Sequence, residues 1–128
     1  MHEIIIITNR KERFASFVKG LRGKPDYLVG WKDSLKNFQD RGSATAPALM
    51  VIDEEIGGIS NFEIARQIVM MNPMINLALV SGLSSDDFHE AGEGLGILAQ
   101  LPRHPGKDEA LKLVELMAKI LSPQDAVP

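Results

Sequence analysis

One carboxylate stands out by its placement. In Pro47-Ala-Leu-Met-Val-Ile-Asp53, four apolar residues run directly into Asp53, and Glu54-Glu-Ile-Gly-Gly-Ile-Ser-Asn-Phe62 follows. A short continuous apolar run bounded by turn residues predicts a strand buried on both faces. Open α/β sheets place their ligand chemistry at the carboxyl ends of such strands, so Asp53 is the first candidate for chemistry. The plainer alternative is a turn residue, or the ion-pair partner of a nearby arginine, with Arg10 as the candidate. Ser81-Gly82, ending another apolar run, also suits ordinary turn chemistry. Glu54 and Glu55 read as a solvated rim rather than a metal site. His2, His89 and His104 are scattered, with no ligand spacing, and are expected on the surface. The chain has no cysteine, which excludes disulfides, thiolate metal sites and cysteine nucleophiles. Gly92-Glu-Gly-Leu-Gly96 precedes a strand instead of following one and fails the context for dinucleotide binding. Met70-Met71 and Met74 read as core and helix end in preference to an adaptable binding surface. Trp31 at a strand tip is expected to be exposed, which alone is weak support for an interface.

These residues need elements to position them. Glu3-Ile-Ile-Ile-Ile-Thr8 predicts a buried first strand. Asn9 is expected to cap a helix, with Glu12 as capping-box partner and Phe14, Phe17, Val18 and Leu21 inward; Gly23-Lys-Pro25 closes it. Tyr27–Trp31 reads as a short strand and Asp33–Arg41 as a short helix burying Leu35 and Phe38, ended by Gly42. After the central strand, Ser60 and Glu63 form a second capping box. Phe62, Ala65, Ile68 and Val69 make that helix's stripe, and Asn72-Pro73 stops it. Ile75–Ser81 and Gly96–Leu101 are the last strands, separated by a helix capped by Ser84 and followed by Gly92. Lys107–Leu121 is the final helix, with Ala110, Leu113, Val114, Met117 and Leu121 inward, and Pro123 ends it. Five strand–helix alternations predict an α/β fold: a flavodoxin-like, doubly wound (βα)5 unit with a five-stranded parallel sheet in the order 2-1-3-4-5. Two helices would cover one face and three the other. Thr8, Asn9, Asp53, Ser81 and Leu101 would then gather at one rim.

The 128 residues suit one domain, 1–121, with 122–128 as a frayed tail. A composition 45% hydrophobic and 24% charged is that of a soluble globular protein. A net charge of -3 gives no electrostatic footprint for nucleic acid or for an anionic membrane. The run Ile4–Ile7 is too short for a signal-peptide core or a membrane span, so a cytoplasmic location is expected.

At these residues the chain resembles the receiver domains of two-component response regulators, over essentially its whole length. Asp53 matches the aspartate that accepts a phosphoryl group, Ser81 the switch hydroxyl after the fourth strand, and Pro102 the proline after the fifth. The resemblance implies a cis Leu101-Pro102 bond and a signalling role in a phosphorelay, with a histidine kinase or a downstream signalling protein as partner and no enzymatic activity. It also implies losses. The acidic pair that holds Mg²⁺ is replaced by Thr8 and Asn9, the lysine that neutralises phosphoryl oxygens by Leu101, and the usual proline and Asp-Gly by Gly57 and Ser60-Asn61. Phosphoryl transfer is mostly positioning and neutralisation of oxygen charge, and Mg²⁺ prefers carboxylate ligands. The resemblance is therefore to a degenerate, single-domain member, with no cofactor or Mg²⁺ held at most weakly, that acts by binding a protein partner. The alternatives are a working Asp53 phosphoacceptor with unusual metal ligands and, from another class, a flavodoxin-like nucleotide or flavin binder. The last lacks a phosphate cradle, because Thr8-Asn-Arg-Lys-Glu-Arg-Phe14 contains no glycine.

Overall fold

The computed structural model describes residues 2–24, 26–36 and 46–121, with Leu121 described in its backbone only. Strands β1 (His2–Ile7), β2 (Tyr27–Lys32), β3 (Leu49–Ile52), β4 (Asn76–Val80) and β5 (Ile97–Leu101) form one sheet in the order β2-β1-β3-β4-β5. Every pairing in it is parallel. The order is the expected one, with the reversal between β1 and β3. Registers of Ile7 with Ile52, Ile52 with Leu79 and Val80 with Leu101 bring the carboxyl ends level. That alignment creates the rim.

The apolar runs are continuous because both faces of the sheet are covered. Successive strand side chains point to opposite faces. Ile4, Ile6, Leu49, Val51, Ala78 and Val80 therefore meet Phe17 and Leu21 of α1 (Ala15–Arg22) and Ala110, Leu113 and Met117 of α4 (Lys107–Leu121). Ile5, Ile7, Met50, Ile52, Leu77 and Leu79 meet Ile64, Ala65 and Ile68 of α2 (Asn61–Met71) and Phe88 of α3 (Ser85–Ala91). The expected helix over Asp33–Arg41, with Phe38 and Gly42, lies mostly outside the described residues. Its described start, residues 33–36, is bend and turn, and Leu35 packs on the α2 and α3 side. Pro25, the side chain of Leu121, Pro123 and the tail 122–128 also lie outside the described residues. No helix among the described residues is long and apolar enough to cross a membrane.

Several local expectations change. Asn9 does not cap a helix: Arg10 holds the cap position of a 3-10 turn, Lys11–Phe14, with no side-chain cap bond, and α1 follows from Ala15. The Asn9 amide instead donates to the Asp33 carbonyl at 3.2 Å, tying the loop after β1 to the loop after β2. Ser60 does cap α2, accepting from the Phe62 N–H at 3.2 Å, but Glu63 pairs with Arg66 and leaves that box half-formed. The α2 stripe runs through Asn61, Ile64, Ala65 and Ile68, with Phe62 and Val69 only flanking it. Between β3 and α2 the chain inserts a small antiparallel hairpin, Glu55–Ile56 against Ile59–Ser60. Gly57 and Gly58 turn it with φ of 58° and 82°, the doubly positive turn that suits a two-residue hairpin. Two glycines between two isoleucines carry that signal in the sequence.

Met70, Met71 and Met74 are exposed and not core: Met70 and Met71 close α2 off its buried stripe of Asn61, Ile64, Ala65 and Ile68, and Met74 follows the helix. Trp31 is not a free surface aromatic. It is packed against the α1 and α4 core, edge-on to Phe14, with the Lys11 ammonium 5.3 Å from its ring centre. α1 and α4 approach closely at Gly20, where an added Cβ would lie 2.9 Å from the Ala110 Cβ and 3.1 Å from the Lys107 carbonyl oxygen. Neither neighbour can swing away. Gly20→Val is accordingly expected to lower stability by about 1–3 kcal/mol, read as a shift in the urea unfolding midpoint.

Candidate functional site at the carboxyl rim

Thr8 and Asp53 leave β1 and β3 side by side. The Thr8 N–H donates to the Lys32 carbonyl and the Asp53 N–H to the Ile7 carbonyl, so both residues are fixed by ladder-like bonds just past the strands. Both are buried, Asp53 at 1% exposure. A buried carboxylate needs donors. The Thr8 hydroxyl donates to Oδ2 at 2.7 Å and the Glu54 N–H to Oδ1 at 2.7 Å. Arg10 completes the set from above, with Nη2 3.1 Å from Oδ1 and Nε 3.3 Å from Oδ2. The Arg10 N–H in turn donates to the Thr8 oxygen at 2.8 Å, which places the arginine over the acid. The planar guanidinium thus meets the carboxylate through two parallel bonds, the geometry arginine favours.

An ionised carboxylate offers about four lone-pair sites, and four donors fill them here. Arg10, the expected candidate, takes the role of partner to Asp53, while Arg103 pairs with Glu54. Arg10 is the partly exposed member of the pair, at 36% of its side chain, and separates the acid from solvent. Beside it opens a cleft of about 670 Å³ lined by Asn9, Arg10, Glu54, Glu55, Gly57, Gly58 and Ser60.

The remaining predicted residues fall as follows. Ser81 is buried at the end of β4. Its hydroxyl accepts the Leu83 N–H at 3.1 Å, and its N–H donates to the Leu101 carbonyl. Leu101 is buried in the α1 and α4 core and brings no charge to the rim. The Leu101-Pro102 bond is trans, against the cis bond that the resemblance implies. Trans is the form that X-Pro bonds favour by about 0.5–1 kcal/mol when nothing selects against it. Beyond Pro102 the chain carries Arg103 back across Gly82 to Glu54. The three histidines are exposed, as expected.

Two contributors escaped the sequence reading. Asn61, 2% exposed at the start of α2, donates its amide to the carbonyls of Val80 at 2.7 Å and Ile52 at 3.3 Å, bridging the ends of β4 and β3. Its signal was an asparagine beside the Ser60 cap, a residue type that reaches backbone groups locally, though not one that identifies a partner 19 residues away. Glu54 is no freely solvated rim residue, because its carboxylate binds Arg103 and the Gly82 N–H.

Arg10→Ala tests the central pair. It removes two of the four donors to Asp53 and opens the carboxylate to water on that side. Stability is expected to fall by about 1.5–3 kcal/mol, the net worth of hydrogen bonds to a charged group, read by urea unfolding. A change below about 0.5 kcal/mol, the range of neutral surface substitutions, would show that the pair is incidental.

No protein-family model matches the chain, and no curated protein matches it in sequence. Solved structures match it in fold. The NtrC4 receiver domain, solved as a beryllofluoride-activated dimer, superposes with a TM-score of 0.77 at 13% identity over 95% of this chain and 100% of that one. The non-phosphorylated HemR receiver domain from Leptospira biflexa gives 0.71 at 17% identity, over 92% and 95%. The response regulator DrrB of Thermotoga maritima gives 0.74 at 20% identity, over 97% of this chain and 54% of that one. At these identities the likeness establishes the receiver fold over nearly the whole chain.

Proposed function

We propose that the chain is a receiver-like signalling module that acts by binding a protein partner, a histidine kinase or a downstream signalling protein, with phosphorylation of Asp53 weak or lost and no enzymatic activity of its own. The observation that carries the reading is the two-point Arg10 contact with both Asp53 oxygens, beside Thr8 and Glu54. An aspartate attacks phosphorus through a free oxygen lone pair, and here each oxygen already accepts two hydrogen bonds.

The residues present do not suit Mg²⁺. The ion needs oxygen ligands in near-octahedral array, those from the protein mostly carboxylates, yet the Thr8 hydroxyl proton points at Asp53, Asn9 offers only a neutral amide oxygen, and a guanidinium stands on the one carboxylate. Among the described residues no group of three or more His, Cys, Asp and Glu is placed to hold a metal. Arg10 supplies from within the chain the positive charge that a metal would otherwise bring. Phosphoryl transfer without metal and without a second fixed cation loses most of its transition-state neutralisation. The module then depends on its surface and not on a covalent mark.

The test is labelling of the full chain by acetyl phosphate with Mg²⁺ present, with intact mass as the readout. Little or no added phosphoryl mass is expected. Stoichiometric labelling at Asp53 would instead support a working phosphoacceptor with unusual ligands.

A further inference from the structure

Glu54, the residue after Asp53, turns the other way and meets a second cationic group. Its Oε1 accepts Arg103 Nε at 3.0 Å, and its Oε2 accepts Arg103 Nη2 at 3.3 Å and the Gly82 N–H at 3.1 Å. Its backbone carbonyl also receives the Asn61 N–H at 3.2 Å. One carboxylate therefore joins the loops after β3, β4 and β5. The guanidinium lies flat over Gly82: a Cβ there would fall 2.7 Å from Arg103 Cζ and 2.8 Å from Nε and Nη2. A glycine is what lets the arginine sit this close to a backbone N–H. A fork of arginine donors beside a free backbone N–H is the recurrent receptor for carboxylate and phosphate oxygens.

We propose that the Arg103 guanidinium and the Gly82 N–H form an oxyanion site, which the chain fills with its own Glu54 carboxylate. The rim loops after β4 and β5 are then held in a ligand-bound arrangement without any added anion, and an external oxyanion can enter only when Glu54 leaves. This goes beyond the signalling reading: neither Arg103 nor Gly82 bonds Asp53, and Glu54 meets it only through its backbone N–H, which Glu54→Ala keeps.

Inorganic phosphate is the probe, titrated into the full chain labelled with nitrogen-15. In the unmodified protein the Gly82 amide and Arg103 Nε–H signals are expected to stay unchanged. In Glu54→Ala both should move saturably, and adding Arg103→Ala should abolish the response. The proposal is overturned by equal titration of the unmodified protein, by no response in Glu54→Ala, or by a response that survives loss of Arg103. Gly82→Ala gives a second arm that leaves Glu54 in place. The three atoms nearest its methyl belong to the movable end of Arg103, which can swing away, so the fold is expected to hold. The ordered Arg103 Nε–H signal should be lost while that of Arg10 persists. An unaltered Arg103 signal in Gly82→Ala would equally overturn the site.

Discussion

Thr8→Asp, Asn9→Asp and Leu101→Lys, combined with Arg10→Ala, are expected to convert the rim into one that binds Mg²⁺ and is labelled at Asp53 by acetyl phosphate. The first two substitutions supply carboxylates beside Asp53, where Thr8 already lies 2.7 Å from it. Arg10→Ala frees both Asp53 oxygens, which the acidic pair alone would leave covered. Leu101→Lys returns a mobile cation, at some cost, because Leu101 is buried in the core and only the apolar stem of lysine fits there comfortably. Metal neutralisation is worth several kcal/mol of transition-state stabilisation. At about 1.4 kcal/mol per tenfold in rate, labelling should quicken by about 100-fold or more. Parallel Mg²⁺ titrations of both proteins give the binding arm. If the unmodified chain labels as readily as the restored one, the proposal of lost phosphorylation fails and the working-phosphoacceptor reading replaces it.

The second large effect is expected at Asn61. Its amide is the donor that bridges the ends of β3 and β4, and Val80 O at 2.7 Å is the closer acceptor. Asn61→Ala removes that donor from a dry site and should destabilise by about 1–3 kcal/mol. Asn61→Asp should be worse, because an ionised carboxylate donates nothing and faces two carbonyl oxygens in a buried setting. Urea unfolding ranks the two, and hydrogen exchange at the ends of β3 and β4 locates the loss. An Asn61→Ala protein within about 0.5 kcal/mol of the original would mean that water takes over the bridge, and the residue would then be incidental to the rim.

The sheet was legible because its signal is local and redundant. Ile4–Ile7, Leu49–Ile52 and Leu77–Val80 are apolar without interruption, which only a strand covered on both faces requires. α4 was legible to the residue because its apolar spacing, acidic first turn and following proline agree. Asp53 could be placed at the rim for the same reason: it ends a run that has one reading. Caps were less legible. Serine did cap α2 and α3, but after Asn9 the chain starts a 3-10 turn from Arg10, and the Asn9 NH2 is drawn to the Asp33 carbonyl, a partner that no local rule supplies.

The amino-acid sequence by itself determined the layer architecture and the candidate acid, since these follow from periodicity and burial along contiguous segments, and the strand order was expected from the alternation together with the topology rules of doubly wound sheets. It also named Arg10 as a partner for that acid, without the geometry. Only the tertiary structure decided what the rim does with its charges. Arg10 reaches Asp53 across 43 positions and Arg103 reaches Glu54 across 49. Such pairings depend on which loops the folded sheet brings level and on which side each long side chain can turn. Asn61 joins β3 to β4, and Gly82 is vacant above its backbone where Arg103 lies. Periodicity reports which face of an element is dry. The partner of a polar group at the end of an element is set by distances between segments that are far apart in the chain, and those exist only once the core has formed.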